Sequence, residues 1–554
     1  MQRIITRSLV QIVTLTCLLV SLDMSKQTLY AQNKSIILGR PTDTSITASV
    51  LLDQSGQFYI EYGTQSGLYE KATSSFANIS TKPEEVDITS LRPNTRYFYR
   101  VRYRPNGASA YSATSEYSFT TQRAKGSTFT FTIEADEHLY DKKGVQSLYQ
   151  ICLNNQAKDK PDFMLSLGDI FGDDHNPFTI TSQELDSLHK QYRPFLGSIC
   201  HSVPFYICLG NHEGENDFYL GKTPPNNLAV NGTLWRKFYY PNPFPNGFYS
   251  GNNDIEPYNI GNPENYYAWT WGDALFVVLD VYRDQCDTSD KPQNWSWSLG
   301  LPQYTWLKNT LEGSTAKFKF VFAHHIRGQG RGGITNAKLF EWGGYEQNGR
   351  VWSFDKNRPG WAKPIHKLFV DTGVNIFFQG HDHVFAHEVL DGVTYQEVPM
   401  PSDSTYQIGK LANADAYTAD TLDGSGHIRV TVSASNVKVD YVRAYLPADT
   451  VGGFHRNGEI AFSYTLGSTA TTDIRETGHN ESFSVVPNPA SDHVTVNIPS
   501  NLTVIHIRLL NALGNVLLET QSNDLDVSSL PNGLYFLSIT SRERQSNNML
   551  VINH

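Results

Sequence analysis

The sequence predicts an α/β core set between two smaller all-β modules, and three observations carry that prediction. Residues 34–123 alternate apolar and polar in short runs broken by Gly, Pro, Asn and Ser, the pattern of evenly spaced β-strands. From 127 to about 400, apolar strand-like runs alternate with longer segments of helical length, which indicates an α/β layer architecture. Beyond residue 482 the β pattern returns. The 554 residues exceed one compact domain at about 150 residues each. With 39% hydrophobic and 18% charged residues, the chain is globular rather than disordered or polytopic. A net charge of −10 argues against a broad nucleic-acid-binding face.

Residues 1–31 read as an export signal. Arg3 and Arg7 give the positive start, Leu9–Leu22 is mostly apolar, and Leu29-Tyr30-Ala31 offers a cleavage site. The apolar run is shorter than the roughly 18 residues of a spanning helix, and no later stretch is long enough either, so the mature chain is expected to lack a transmembrane segment. Cys17 lies in the signal, and Cys152, Cys200, Cys208 and Cys286 make neither a disulfide scaffold nor a metal-binding pair. Cys208 is expected in the core, with at most one disulfide in the chain.

The front module, 34–123, contains Ser45–Leu52, Gln57–Tyr62, Arg96–Tyr103 and Tyr117–Thr121 as strand-like runs, which suits a β-sandwich. In Leu91–Val101, Pro93 and Asn94 turn the chain while alternate aromatics enter the core. That segment resembles the tyrosine-corner strand of fibronectin type III modules. No catalytic residue cluster occurs here, so a structural role is expected.

The core is expected over 127–445, with helices near 144–155 and 182–196 and a closing hairpin at 426–445. Residues 446–480 are polar and Gly/Thr-rich, as in a linker. Within the core, five polar clusters each follow an apolar run. They are Asp136 to His138 after Phe129–Ile133, Gly168-Asp169 after Asp162–Leu167, and Gly210-Asn211-His212-Glu213 after Pro204–Leu209. Then come His324-His325 after Phe318–Ala323, and Gly380-His381-Asp382-His383 after Asn375–Gln379. Ligand sites of α/β sheets lie at the carboxyl ends of strands, so five such runs can converge on one crevice. Carboxylate, amide oxygen and imidazole without thiolate suit Zn, Mn or Fe. The glycines before Asp169, Asn211 and His381 are expected to allow sharp turns.

In this order, the clusters resemble the signature of the calcineurin-like metallophosphoesterase superfamily. With the sandwich in front, the arrangement is similar to purple acid phosphatases and their relatives. The resemblance implies a metallophosphoesterase core, a β-sandwich flanked by helices, holding two divalent or transition metal ions. It implies that Asp136, His138 and His383 hold one ion, that Asn211, His324 and His381 hold the other, and that Asp169 bridges them. His324 is preferred over His325 because the family carries a ligand His, a variable residue and then usually Pro; Ile326 stands at the Pro position. The Tyr that colours purple acid phosphatases is replaced by Gly172, and those enzymes lack the first-cluster His that is His138 here, so the general two-metal form is expected without colour.

Two such metals activate a water for in-line attack on phosphorus, and His212 is placed to protonate the leaving alkoxide as general acid, or to orient Asn211. His325, Arg327 and Arg331 are candidate phosphate-binding residues, and Asp173, Asp174 and His175 candidate hydrogen-bonding ones, with a solvated loop as the alternative. The aromatic segment Tyr219–Tyr267 walls the substrate pocket or packs on itself.

Residues 482–554, with Val485–Ala490, Leu530–Phe536 and a short basic tail, resemble the sorting domain of the type IX secretion system. The expectation is an exported phosphoesterase acting on small phosphomonoesters, delivered through the periplasm and across the outer membrane by type IX machinery to a secreted or surface location. A phosphodiesterase or nucleotide hydrolase on the same ligands, and a surface-binding or adhesion protein with an inactive core, are the alternatives.

Overall fold

A computed structural model describes residues 34–171, 179–216, 220, 226–284, 294–326, 331–453, 455–467, 484–498, 504–511, 516–541 and 545–554. The expected signal, together with Gly172, Asp173, Asp174, His175, Cys286 and Arg327, lies outside the described residues. The chain divides into two compact units, Met1–Thr469 and Ala470–His554.

The first unit is built on two facing sheets. One runs in the spatial order Phe205–Ile207, Phe163–Ser166, Phe129–Glu134, Gly426–Val432, Asn436–Arg443, Ile460–Gly467. The first three strands are parallel and the last three antiparallel additions. The second sheet has eight strands, and Ala274–Val278, Phe318–Phe322, Ile376–Gln379 and Val393–Glu397 form its parallel centre. These strands read as near-continuous apolar runs because both of their faces are buried. In Phe318–Phe322, the three phenylalanines enter the space between the sheets, while Val321 faces the helices outside. Phe131 sits at the centre of that space, with ring centroids 5.1 Å from Phe276, 5.4 Å from Phe163 and 5.7 Å from Phe320.

Helices cover both outer faces. Gly300–Gly313 and Ile365–Thr372 lie against the second sheet, and Gln146–Asp159 and Ser182–Cys200 against the first. Ser182–Cys200 starts on a capping box, in which Thr181 and Glu184 satisfy each other's backbone N–H groups. Four layers result: helix, sheet, sheet, helix.

The front module is a sandwich around Ile37-flanking Ile36 and Leu38, with Val50, Phe58, Ile60, Tyr97 and Tyr99. The Tyr97 hydroxyl accepts from the Arg92 N–H at 2.8 Å, pinning the turn at Pro93 and Asn94. This module is docked on the core rather than tethered to it. Tyr99 donates to the His201 carbonyl at 2.7 Å, and Ser49 Oγ donates to the Tyr239 carbonyl at 3.1 Å. The fully buried Arg193 donates to Ser35 Oγ at 2.8 Å, to Ser49 O at 2.8 Å, and to the Tyr239 carbonyl. Burial lowers this guanidinium to about 10, so it stays charged at neutral pH.

One segment departs from expectation. Residues 460–467, read from composition as part of a linker, form the sixth strand of the first sheet, paired with Asn436–Arg443. Phe462, Tyr464 and Leu466 face the core at alternate positions, and that period-2 signal outweighs the surrounding Gly and Thr. The aromatic segment near 219–267 resolves as packing: Leu228–Tyr239 is a helix, and Tyr239, Tyr240 and Tyr249 are buried. Cys152, Cys200 and Cys208 are free and buried.

In the second unit, two small sheets enclose Val494, Val496, Ile507, Leu509, Leu537, Ile539, Leu550 and Ile552.

Arg193→Ala is expected to destabilise the first unit by about 3 kcal/mol, because the loss strands several buried carbonyl and hydroxyl acceptors. Chemical denaturation followed by tryptophan fluorescence checks this; a change under about 0.5 kcal/mol would show that the docking rests on apolar contact alone.

Candidate metal centre

The five polar clusters all lie at the carboxyl ends of strands in the two facing sheets. Each chain segment must leave its strand abruptly for its side chain to turn inward. Five of the seven expected ligands achieve this with left-handed backbone: Asp136 (φ 63°), His138 (46°), Asp169 (62°), His381 (79°) and His383 (60°). Such conformations are uncommon for non-glycine residues and cost of order 1–3 kcal/mol each.

Two of the three glycines serve a different purpose from the one expected. Only Gly168 is itself left-handed (φ 102°). At Gly210, a Cβ would stand 2.2 Å from Asp169 Oδ1, and at Gly380 it would stand 2.6 Å from Asp136 Oδ2. These two positions are glycine because a carboxylate passes directly over the backbone.

That close approach fixes both acids. The His381 N–H donates to Asp136 Oδ2 at 2.8 Å, and the His212 N–H donates to Asp169 Oδ1 at 2.8 Å. The second oxygen of each faces the centre. Asp136 Oδ1 is buried without a hydrogen bond and lies 3.6 Å from His383 Nε2, 3.8 Å from His324 Nε2 and 4.0 Å from His138 Nε2. Asp169 Oδ2 lies 3.3 Å from His324 Nε2, 3.7 Å from His212 Nε2 and 3.9 Å from His138 Nε2. Three groups of converging donors result: Asp136, His138 and His383; Asp169, His324 and His381; and His138, Asp169 and His212. Asn211 Oδ1 joins the second group, 3.0 Å from His381 Nδ1.

The donor chemistry fits cations. His324 Nδ1 faces the Leu167 carbonyl at 2.8 Å, His383 Nδ1 the Leu411 carbonyl at 3.1 Å, and His138 Nδ1 the Asp141 carboxylate at 3.1 Å. Each acceptor fixes the ring proton on Nδ1 and turns the Nε2 lone pair inward. His138 Nε2 and His383 Nε2 then face each other at 3.0 Å as two acceptors, a contact that a cation relieves. Burial pushes Asp136 up to about 7. Burial would depress His324, but Asp169 and Asp136 outweigh it and raise the imidazole to about 10. Burial, aided by His324, lowers His381 to about 3, which keeps that ring neutral as a ligand must be.

Glu213 has a role that sequence reasoning did not assign. Its carboxylate accepts from the N–H groups of Gly210 (2.6 Å), Asp169 (2.9 Å), Ile170 (2.6 Å) and Phe171 (3.1 Å). It thereby ties the Asp169 turn to the Asn211–His212 turn. His325 is buried with its ring 4.6 Å from His381. Arg331 is half exposed, its Nε 3.6 Å from Asp382 Oδ1.

Residues 129–385 match the calcineurin-like phosphoesterase family. The chain carries a calcineurin-like phosphoesterase domain. Such a domain implies divalent metal ions and a phosphorylated substrate, and the converging carboxylates and imidazoles belong to this stretch. Residues 484–553 match the secretion system C-terminal sorting domain, which places the protein outside the cell or on its surface, delivered by type IX secretion. No helix among the described residues is long and apolar enough to cross a membrane.

Two solved structures resemble the chain. The structure of PhoD aligns with a TM-score of 0.53 at 17% identity, covering 81% of this chain and 94% of that one. Purple acid phosphatase PPD1 from yellow lupin (Lupinus luteus) seeds aligns at 0.52 and 16% identity, covering 78% and 74%. At these identities the likeness is one of fold. Comparison with curated proteins finds no match.

Gly380→Ala in the phosphoesterase domain is expected to displace Asp136 and lower metal content at least severalfold, with stability reduced by about 1–3 kcal/mol. Elemental analysis of the folded variant checks this; full metal content would show that the Asp136 contact can yield.

Proposed function

We propose that this protein is an exported two-metal phosphoesterase that hydrolyses small phosphomonoesters. One observation carries the reading: two donor groups at the strand ends, Asp136 with His138 and His383, and Asp169 with His324 and His381, adjoin where Asp169 Oδ2 approaches His138 Nε2 at 3.9 Å. Asp136, His138 and His383 would hold one ion, Asn211, His324 and His381 the other, and Asp169 would bridge them. Ions held there would supply a water of lowered pKa and neutralise phosphoryl charge.

The chain's own groups do the rest. Asp169 is fixed from below by the His212 N–H, so its other oxygen keeps one orientation throughout. The His212 side chain is 12% exposed while that of His324 is fully buried, which supports His212 as the group facing the leaving group. Its imidazole would protonate the departing alkoxide, a contribution of typically 10² to 10⁴-fold. An alkoxide or phenoxide leaving group takes that proton as it departs, which supports a phosphomonoester substrate. Arg331 and His325, whose ring lies 4.6 Å from that of His381, would contact phosphate oxygens. Residues 1–31 would act as the removable export signal, and residues 34–123 as a fibronectin-like brace.

Purified protein lacking the signal is expected to hold close to two transition metals per chain, and Asp169→Asn to lose most of both. Elemental analysis decides it, and a chain that binds no metal after incubation with Mn, Zn and Fe would instead be a surface-binding protein on an inactive core.

His212→Ala is expected to slow alkyl phosphate hydrolysis by about 10² or more while changing activated aryl esters far less. Equal losses on both substrates would make His212 an orienting residue for Asn211.

A further inference from the structure

We propose that Tyr140 is a leaving-group platform that gives the site a preference for aryl phosphates. The inference rests on the phosphoesterase reading above. Tyr140 is half-buried and stands beside two functional imidazoles at once. Its ring centroid is 5.4 Å from that of His212, at 51°, and 5.5 Å from that of His138. The position is held from both ends of the side chain. The backbone N–H groups of Leu139 and Tyr140 donate to the Tyr192 hydroxyl at 2.9 and 3.1 Å, and the Tyr140 hydroxyl lies 3.1 Å from His138 Nδ1. Further along the same loop, the Gly144 N–H donates to the His138 carbonyl at 2.9 Å.

His212 fixes where the leaving group must be. The oxygen that takes its proton lies within hydrogen-bond reach of that ring, so whatever is bonded to that oxygen passes the ring's neighbours. Among those neighbours, Asp169 and His138 are buried and reserved for the centre. Tyr140 is the half-buried aromatic beside them. An aromatic leaving group stacks there for about 0.5–1.5 kcal/mol beyond the area it buries, roughly 2- to 10-fold in affinity. A small alkyl group gains only part of the buried area. Because the ring is already fixed at hydroxyl and backbone, little ordering is lost on contact.

The test measures binding of two non-hydrolysable probes, phenylphosphonate and methylphosphonate, to the metal-loaded full chain by calorimetry, with metal content recorded. The wild type is expected to bind phenylphosphonate more tightly. Tyr140→Ala is expected to lose about tenfold for phenylphosphonate and less than about twofold for methylphosphonate, and Tyr140→Phe, which keeps the ring, to retain the preference. Equal losses on both probes, or a phenyl preference that survives in Tyr140→Ala, overturn the platform. So does a loss of metal with both probes in Tyr140→Ala, which would make Tyr140 a prop for His138. A wild type that holds its metals yet binds neither probe defeats the phosphoesterase reading and the platform with it. Equal wild-type affinities for the two probes defeat the platform alone.

Discussion

Two buried carboxylates, Asp136 and Asp169, set the terms for the rest of the first unit. Each has one oxygen held by a backbone N–H from another strand end, from His381 and His212 respectively, and the other turned toward facing imidazoles. An isolated buried carboxylate is costly enough that it normally neutralises instead of ionising. Asp136, pushed up to about 7 by burial, shows that tendency directly. Asp169 resists it, because His324 and His212 together outweigh its burial and hold it well below the ordinary range. The pair is therefore stable as anions only where positive charge gathers between them, and the surrounding residues are arranged to gather it.

That arrangement carries a conformational cost, which the fold offsets elsewhere. Five left-handed non-glycine residues cluster within the same few turns, and strain of this kind persists only where the surroundings over-determine it. The aromatic layer between the sheets, centred on Phe131, Phe163, Phe276 and Phe320, supplies a close-packed floor beneath those turns. Glu213 joins two of them through four backbone N–H groups. Arg193, reaching from a covering helix into the front sandwich, braces the helix layer from outside.

Much of this was legible in the sequence, for an identifiable reason. A strand buried on both faces appears as an unbroken apolar run, and a polar cluster at its end marks where the chain meets the crevice; Phe318–Phe322 followed by His324 shows both signals. The edge strand of the first sheet, 460–467, is hidden in the sequence because its alternation is written among Gly, Ser and Thr. The aromatics at Tyr239, Tyr240 and Tyr249 gave no sign of whether they lined a pocket or filled a core, since composition is the same in both cases. Glu213 could have been found: an acid that ends a Gly-Asn-His-Glu run and lies beside two turns has backbone donors within reach. The reason for Gly210 and Gly380 could not, because a close approach between segments far apart in sequence is visible only once both are placed.

Those two glycines also reveal a division of labour between main chain and side chain. In Gly380-His381, the backbone N–H of the histidine holds Asp136 while its ring faces Asn211 and His324. In Gly210-Asn211-His212, the backbone N–H of the histidine holds Asp169 while its ring stands at the open edge. Each histidine thus anchors an acid through an atom that every residue but proline possesses, and leaves its imidazole to the centre. The anchoring depends on a glycine leaving room for the acid, and the proposed chemistry would depend on the imidazole. Because the two functions use different atoms, the side chain at 212 can change without releasing Asp169, whereas a side chain at 210 or 380 would disturb the acids even with every imidazole in place. The glycines are therefore as much a part of the centre as the residues that face it.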